Sequence, residues 1–167
     1  MGVKEHRKHG PKVVVAAILT VSDTRNRRTD ETGKIIRQEL EKAGHKVVRQ
    51  GIVKDEKKEI LSWLRAALAD PVIHAVIING GTGIARRDVT IEVVRPLLEK
   101  EIPGFGELFR MLSFKKVGGA AMMSRALAGV CKRKVMICLP GSPDAARLAL
   151  EELLLSDIGH MVWEAKR

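Results

Sequence analysis

No tyrosine occurs among the 167 residues, and three phenylalanines and two tryptophans are the only aromatic rings besides histidine. A core must therefore be filled by Val, Ile, Leu, Ala and Met. With so few stacking platforms, single-stranded nucleic acid is a poor ligand for this chain. Cys131 and Cys138 are the only cysteines, and their spacing suits neither a metal knuckle nor a CxxC redox pair. Reduced thiols in a cytoplasmic setting are the expectation. The longest clean apolar run, residues 13–19, is far short of the ~18 that suggest a membrane span. A charged start without an apolar region gives no signal peptide. The five histidines are scattered, and no Ser-His-Asp or Cys-His arrangement is legible. A nucleophile supplied by the protein is therefore not expected.

Acid is the scarcer charge. Thirty Lys and Arg face twenty Asp and Glu, a formal net of +10. Lys4, Arg7, Lys8 and Lys12 against Glu5 put three of those charges in a basic tail, residues 1–12. The body, residues 13–167, stays basic without the tail. Phosphorylated small molecules suit such a surface better than nucleic acid.

Strand and helix signals alternate along one domain. Residues 13–21 read as a first strand. Residues 33–43 carry Ile35, Ile36, Leu40 and Ala43 at helical spacing, with Gly44 as a stop. A weaker strand follows over 45–53, and Asp55 opens a helix bearing Ile60, Leu61, Leu64, Ala67 and Leu68. Residues 72–78 form a short β-branched run, the mark of a strand buried on both faces. Thr90 is a candidate cap for a helix over 91–100, which Pro96 must kink or end early. Residues 102–106 read as a turn, 107–114 and 120–130 as helices, 135–139 as the last strand and 144–155 as a closing helix. The order predicts an α/β fold: a doubly wound, mainly parallel sheet with helices on both faces and 13–21 and 72–78 as inner strands.

Three loops then fall at one edge of the sheet: Ser22-Asp23-Thr24, Gly80-Gly81-Thr82-Gly83 and Pro140-Gly141-Ser142-Pro143. Open α/β sheets bind ligands at the carboxyl ends of their strands. Glycines let the backbone turn through positive φ and aim N–H groups at an anion. The glycine loop matches neither the Walker A nor the G-x-G-x-x-G pattern, so by spacing alone it is a phosphate cradle or an ordinary turn. Beyond it, Arg87 offers a phosphate partner and Asp88 either a magnesium ligand or a helix cap. Asp55 is a helix cap that can also reach a metal. Asp23 either contacts nucleotide or metal or starts an Asx-turn. Ser142 either donates to a phosphate or belongs to a plain turn before a helix. Glu107 reads as a surface partner of Arg110 or a substrate contact, and Ser124 and Arg125 as substrate contacts or a subunit boundary.

In their order these segments resemble the MoaB/MogA family of molybdenum-cofactor biosynthesis proteins, whose fold recurs in the gephyrin G domain. The matching stretches are Leu19-Thr20-Val21-Ser22-Asp23, Asn79-Gly80-Gly81-Thr82-Gly83 with Arg87-Asp88-Val89-Thr90, Gly104-Phe105-Gly106-Glu107-Leu108-Phe109-Arg110, Gly119-Ala120-Ala121-Met122-Met123-Ser124-Arg125-Ala126 and Leu139-Pro140-Gly141-Ser142-Pro143. Phe109-Arg110-Met111-Leu112-Ser113-Phe114 is closer to the MoaB branch. The resemblance implies a three-layer fold and adenylyl transfer: molybdopterin and ATP, with Mg2+, give adenylyl-molybdopterin and pyrophosphate. It implies that Asp55 and Asp88 are the family's two functional aspartates and hold the metal. Substrate contacts would come from Ser22, Asp23, residues 80–83, Arg87, Glu107, Ser124, Arg125, Gly141 and Ser142. A trimer, or a hexamer built as a dimer of trimers, is implied as well, with other cofactor-biosynthesis proteins as partners. A non-catalytic molybdopterin-binding scaffold and a molybdate-inserting enzyme are the alternatives on the same fold.

Overall fold

The structure is a computed structural model that describes residues 10–167; the basic tail falls almost entirely outside them. Its centre is a six-stranded sheet in the order β2-β1-β3-β6-β5-β4. β1 (Val15–Val21), β2 (Lys46–Val53), β3 (Ala75–Asn79) and β6 (Lys134–Leu139) run parallel. β5 (Leu127–Cys131) and the two-residue β4 (Lys100–Glu101) complete one edge antiparallel. Between them run the helices α1 (Glu31–Lys42), α2 (Lys57–Ala69), α3 (Thr90–Val94), α4 (Pro103–Val117), α5 (Pro143–Ala149) and α6 (Ile158–Lys166). β1 and β3 are inner strands, as the sequence predicts, but they begin only at Val15 and Ala75, which leaves Val13 and Val72 exposed.

The alternation of strand side chains produces two cores. Ile18, Ile77, Val135, Ile137 and Leu139 join Ile36 and Leu40 of α1, Phe105 and Phe109 of α4, Leu148 of α5 and Val162 of α6 on one face. Leu19, Val76, Ile78, Met136 and Cys138 join Ile60 and Leu64 of α2 and Ile91 and Val94 of α3 on the other. The burial of Cys138 pushes its thiol far above the ordinary range. Strands this deeply covered read as unbroken apolar runs.

Five local expectations give way. Residues 120–130 are not a helix: a 3-10 segment, Gly118–Met123, leads into β5. The small residues there serve close approach, since a Cβ on Gly129 would stand 2.5 Å from the carbonyl oxygen of Lys100. Residues 103–106 open α4 rather than forming a separate turn, with Pro103 in its first turn, where a missing N–H costs nothing. Asp55 lies ahead of α2, whose cap position is Glu56. Thr90 is the first residue of α3, behind Val89 at the cap, and that helix ends early into a 3-10 turn containing Pro96. The closing helix changes to a π-helical turn at Leu150–Leu154, and α6 lies beyond it.

Register fixes where the loops go. Thr20 pairs with Asn79 and Asn79 with Leu139, so β1, β3 and β6 end level. Val21 pairs with Val53, which brings the start of the β2–α2 loop to the same edge. From β1 the chain moves outward to β2 and then returns to β3 on the other side. The crevice between the ends of β1 and β3 is therefore a topological switch point.

Candidate active site

At that point lies a cleft of about 410 Å³, lined by Val21, Ser22, Asp55, residues 80–83, Asp88, Met123, Ser124, Pro140 and Gly141. Its floor is the glycine loop, bent sharply after Asn79. Gly80 has φ +88°, and a Cβ there would stand 2.2 Å from the carbonyl oxygen of Val21. Gly81 has φ +62°, and its Cβ would meet Thr90 Oγ1 at 2.4 Å and Asp55 Oδ1 at 2.5 Å. Glycine is required at both positions by torsion and by space. Buried Thr90 clamps the bend, its hydroxyl donating to Gly80 O at 2.8 Å and its amide to Gly81 O at 2.9 Å. The Gly80 amide is spent on Leu139 O at 3.1 Å, whereas the amides of Gly81, Thr82 and Gly83 donate to no other described residue. A loop with amides held open to a crevice is an anion receptor.

Arg125, read from the sequence as a substrate contact or a boundary residue, braces this loop. Its guanidinium donates to Thr82 O and Gly83 O, both at 2.8 Å, and to the Glu92 carboxylate. That bond also holds the Glu92 carboxyl below its ordinary range. Behind the loop, Asn79 Nδ2 donates to Thr20 Oγ1 at 3.0 Å, and Thr20 Oγ1 donates to Asp30 Oδ2 at 2.8 Å. Asp30 Oδ1 takes the Gly33 amide at 2.9 Å and caps α1. Residues 29–33 are therefore helix-start chemistry, and Gly33 makes room for that carboxylate. Thr32 Oγ1 donates to Gly141 O at 2.7 Å, tying α1 to the third loop.

Two carboxylates, Asp55 and Asp88, line the cleft, and a third, Asp23, lies in the wall of the neighbouring cavity. Arg87 grips Asp23 through two bonds and holds its carboxyl below the ordinary range. Asp23 Oδ1 also accepts the Asp55 amide at 3.2 Å. Asp88 Oδ2 accepts the Ala85 amide at 2.9 Å, so it caps a turn of its own loop rather than α3. Asp55 differs from both. Its Oδ1 is buried and has no hydrogen-bond partner. Burial, then repulsion from Asp23 and Asp88, raises its pKa above the ordinary value. An uncompensated carboxylate oxygen beside two more acids is a place for a cation. No group of three or more His, Cys, Asp or Glu among the described residues is arranged to hold a metal ion. Magnesium does not require one, since one or two carboxylates with waters and substrate phosphates suffice. Asp55 and Asp88 fit that role.

Five of the expected contacts fall outside the cleft lining: Asp23, Arg87, Glu107, Arg125 and Ser142. The Ser142 hydroxyl accepts the Ala145 amide at 3.2 Å as the cap of α5, and the residue lies in extended backbone. Glu107 stands exposed on α4, apart from the lining residues. Ser22 lines the cleft while its hydroxyl accepts the amides of Thr24 and Arg25, both at 3.2 Å. Thr90 as clamp and Arg125 as brace were not legible in the sequence, because both act on carbonyls far along the chain.

Residues 17–160 match the protein family described as "Probable molybdopterin binding domain". The chain belongs to this family. It is 49% identical over 165 residues to molybdenum cofactor biosynthesis protein B of Halalkalibacterium halodurans, covering 98% of this chain and 97% of that one. The crystal structure of a molybdenum cofactor biosynthesis protein B superposes with a TM-score of 0.90 at 47% identity, over 94% of this chain and 98% of that one. The tungsten cofactor synthesizing protein MoaB of Pyrococcus furiosus gives a TM-score of 0.85 at 37% identity, over 94% and 99%. The glycine loop, the start of the β2–α2 loop and the Leu139-Pro140-Gly141 segment are the parts that register brings together here. No helix among the described residues is long and apolar enough to cross a membrane.

Proposed function

We propose that the protein takes part in molybdenum cofactor biosynthesis by transferring the adenylyl group of ATP to the terminal phosphate of molybdopterin. The observation that carries this reading is Asp55 Oδ1, buried without a partner at the rim of a glycine loop with open amides. Phosphoryl-group transfer asks little covalent chemistry of a protein and much positioning and charge stabilisation. The amides of residues 81–83 receive phosphate oxygens. Asp55 and Asp88 would hold magnesium, which supplies charge neutralisation at phosphate oxygens when bound. Ser124, Pro140 and Gly141 also line the cleft, where the pterin side of the substrate would rest. The nucleophile is the substrate's own phosphate, in keeping with the lack of any Ser-His-Asp or Cys-His set in the sequence.

The working unit is a homo-oligomer. The apolar residues of α4 divide between two faces: Phe105 and Phe109 enter the core, whereas Leu108, Met111, Phe114 and Val117 are exposed. With Met122 and Met123 beside them, they form an apolar surface of the kind that marks an interface. A trimer or a dimer of trimers would cover it.

Incubation of the purified protein with molybdopterin, ATP and magnesium tests the reaction. Adenylyl-molybdopterin and pyrophosphate should appear together. Bound but unaltered pterin would overturn adenylyl transfer and favour a scaffold.

A further inference from the structure

Beside the glycine cleft lies a larger cavity of about 930 Å³, and Ser22 is a wall of both. It is enclosed by the β1–α1 loop, α1 and the outer strand β2. Five cations line it: Arg25, Arg27, Lys34, Arg37 and Lys54. Three acids also do. Asp23 is gripped by Arg87, whereas Asp30, as the cap of α1, and Glu59, whose Oε2 accepts the Lys54 amide at 3.0 Å, accept from neutral groups that offset no charge. The five cations outnumber the three acids. Among the cations, Arg37 pairs with Glu41 at 2.9 Å. Arg25 and Lys34 donate instead to the carbonyls of Thr29 and Arg28, at 3.0 and 2.6 Å. Those bonds fix the side chains without cancelling their charge. The trough therefore keeps a positive field, while the neighbouring cleft carries carboxylates.

We propose that this basic trough receives the pyrophosphate half of the nucleoside triphosphate, and that the α-phosphate reacts at Ser22, where trough and cleft meet. The assignment rests on the adenylyl-transfer reading. In that reaction an oxygen of the pterin phosphate bonds to the α-phosphorus. The bond from that phosphorus to the bridging oxygen breaks, and its electron pair leaves with pyrophosphate. Negative charge grows on the leaving group, so fixed cations there favour the transition state. Placed in the cleft instead, the same polyanion would face Asp55 and Asp88.

Calorimetric titration of the full-length protein with inorganic tripolyphosphate, without pterin, tests the site. The wild-type protein should bind with an affinity that falls as salt rises. An Arg27→Ala/Lys34→Ala variant should bind about tenfold more weakly or worse, the loss expected for one charge-assisted hydrogen bond. The charge-keeping Arg27→Lys/Lys34→Arg variant should bind nearly as the wild type does. ATP should show the same pattern as tripolyphosphate. No binding by the wild type or equal binding by the alanine variant would overturn the assignment. Tripolyphosphate has no adenylyl group, so its binding stands or falls apart from the reaction. Intact, trough-dependent binding in a protein that makes no adenylyl-molybdopterin would remove the reaction and keep the anion site.

Discussion

Arg87 and Asp23 are locked together across 64 residues of sequence, Nε to Oδ2 at 2.7 Å and Nη2 to Oδ1 at 3.0 Å. A residue read from the sequence as a phosphate partner is thus held by a carboxylate. The pair is largely exposed, so its worth to stability is small. Its consequence is electrostatic. It neutralises Asp23 beside the cleft and leaves Asp55 as the acid whose buried oxygen has no partner.

Asp55→Asn should stabilise the protein and disable it. The carboxyl of Asp55 has a raised pKa in the folded chain. A raised folded pKa means that stability is greatest with the proton on and is lost as pH rises through the folded value. A permanently neutral amide removes that penalty. Thermal melts without magnesium at neutral pH should show a higher midpoint for Asp55→Asn, with the gap closing as pH falls through the raised pKa. Adenylyl-molybdopterin formation by the same variant should collapse. A lower midpoint at neutral pH would show that the charge is compensated in the free protein.

Asp88→Asn separates catalysis from capping. Asparagine can still accept the Ala85 amide, so the loop should persist. If the charge holds a cation, turnover should fall by ~10²-fold or more, the scale of losing one transition-state-stabilising group. Pterin binding should survive, since ground-state binding and transition-state stabilisation are separable. Near-normal turnover at saturating magnesium would sink the catalytic role.

Gly81→Ala should cost about 1–3 kcal/mol, because it forces a side chain into the left-handed region. The new Cβ would also press on Thr90 Oγ1 and Asp55 Oδ1. Chemical denaturation gives the loss, and tripolyphosphate binding in the adjacent trough should persist. An unchanged denaturation midpoint would mean that the bend can relax.

Charging the outer apolar face should break the assembly. Phe114 is 61% and Met122 81% exposed in the single chain. Phe114→Glu and Met122→Glu should each shift the sedimentation profile towards an 18.4 kDa species without unfolding it. A wild-type protein that sediments as a monomer at micromolar concentration would remove the interface altogether.

The sequence by itself determined the layered architecture, because strands buried on both faces must be continuous apolar runs and helices must repeat at their own period. Residues 72–78 and 135–139, and the spacing of Ile35, Ile36 and Leu40, are local signals of that kind. It also located the loops at residues 80–83 and 140–143, since glycine and proline mark turns wherever they fall. Local pattern failed at residues 120–130, where small residues carry no periodicity and the strand exists only because β6 lies alongside to pair with it. The roles of polar side chains were decided by tertiary structure alone. Arg125 could be a phosphate ligand or a brace until the carbonyls of Thr82 and Gly83 were placed within its reach. Ser142 could bind an anion or cap α5 until the Ala145 amide claimed its hydroxyl. Hydrogen-bond partners and desolvation are properties of the folded neighbourhood, set by register between strands distant in the chain. That is why the identity of the acids was legible in sequence, and why the isolation of Asp55 Oδ1 was not.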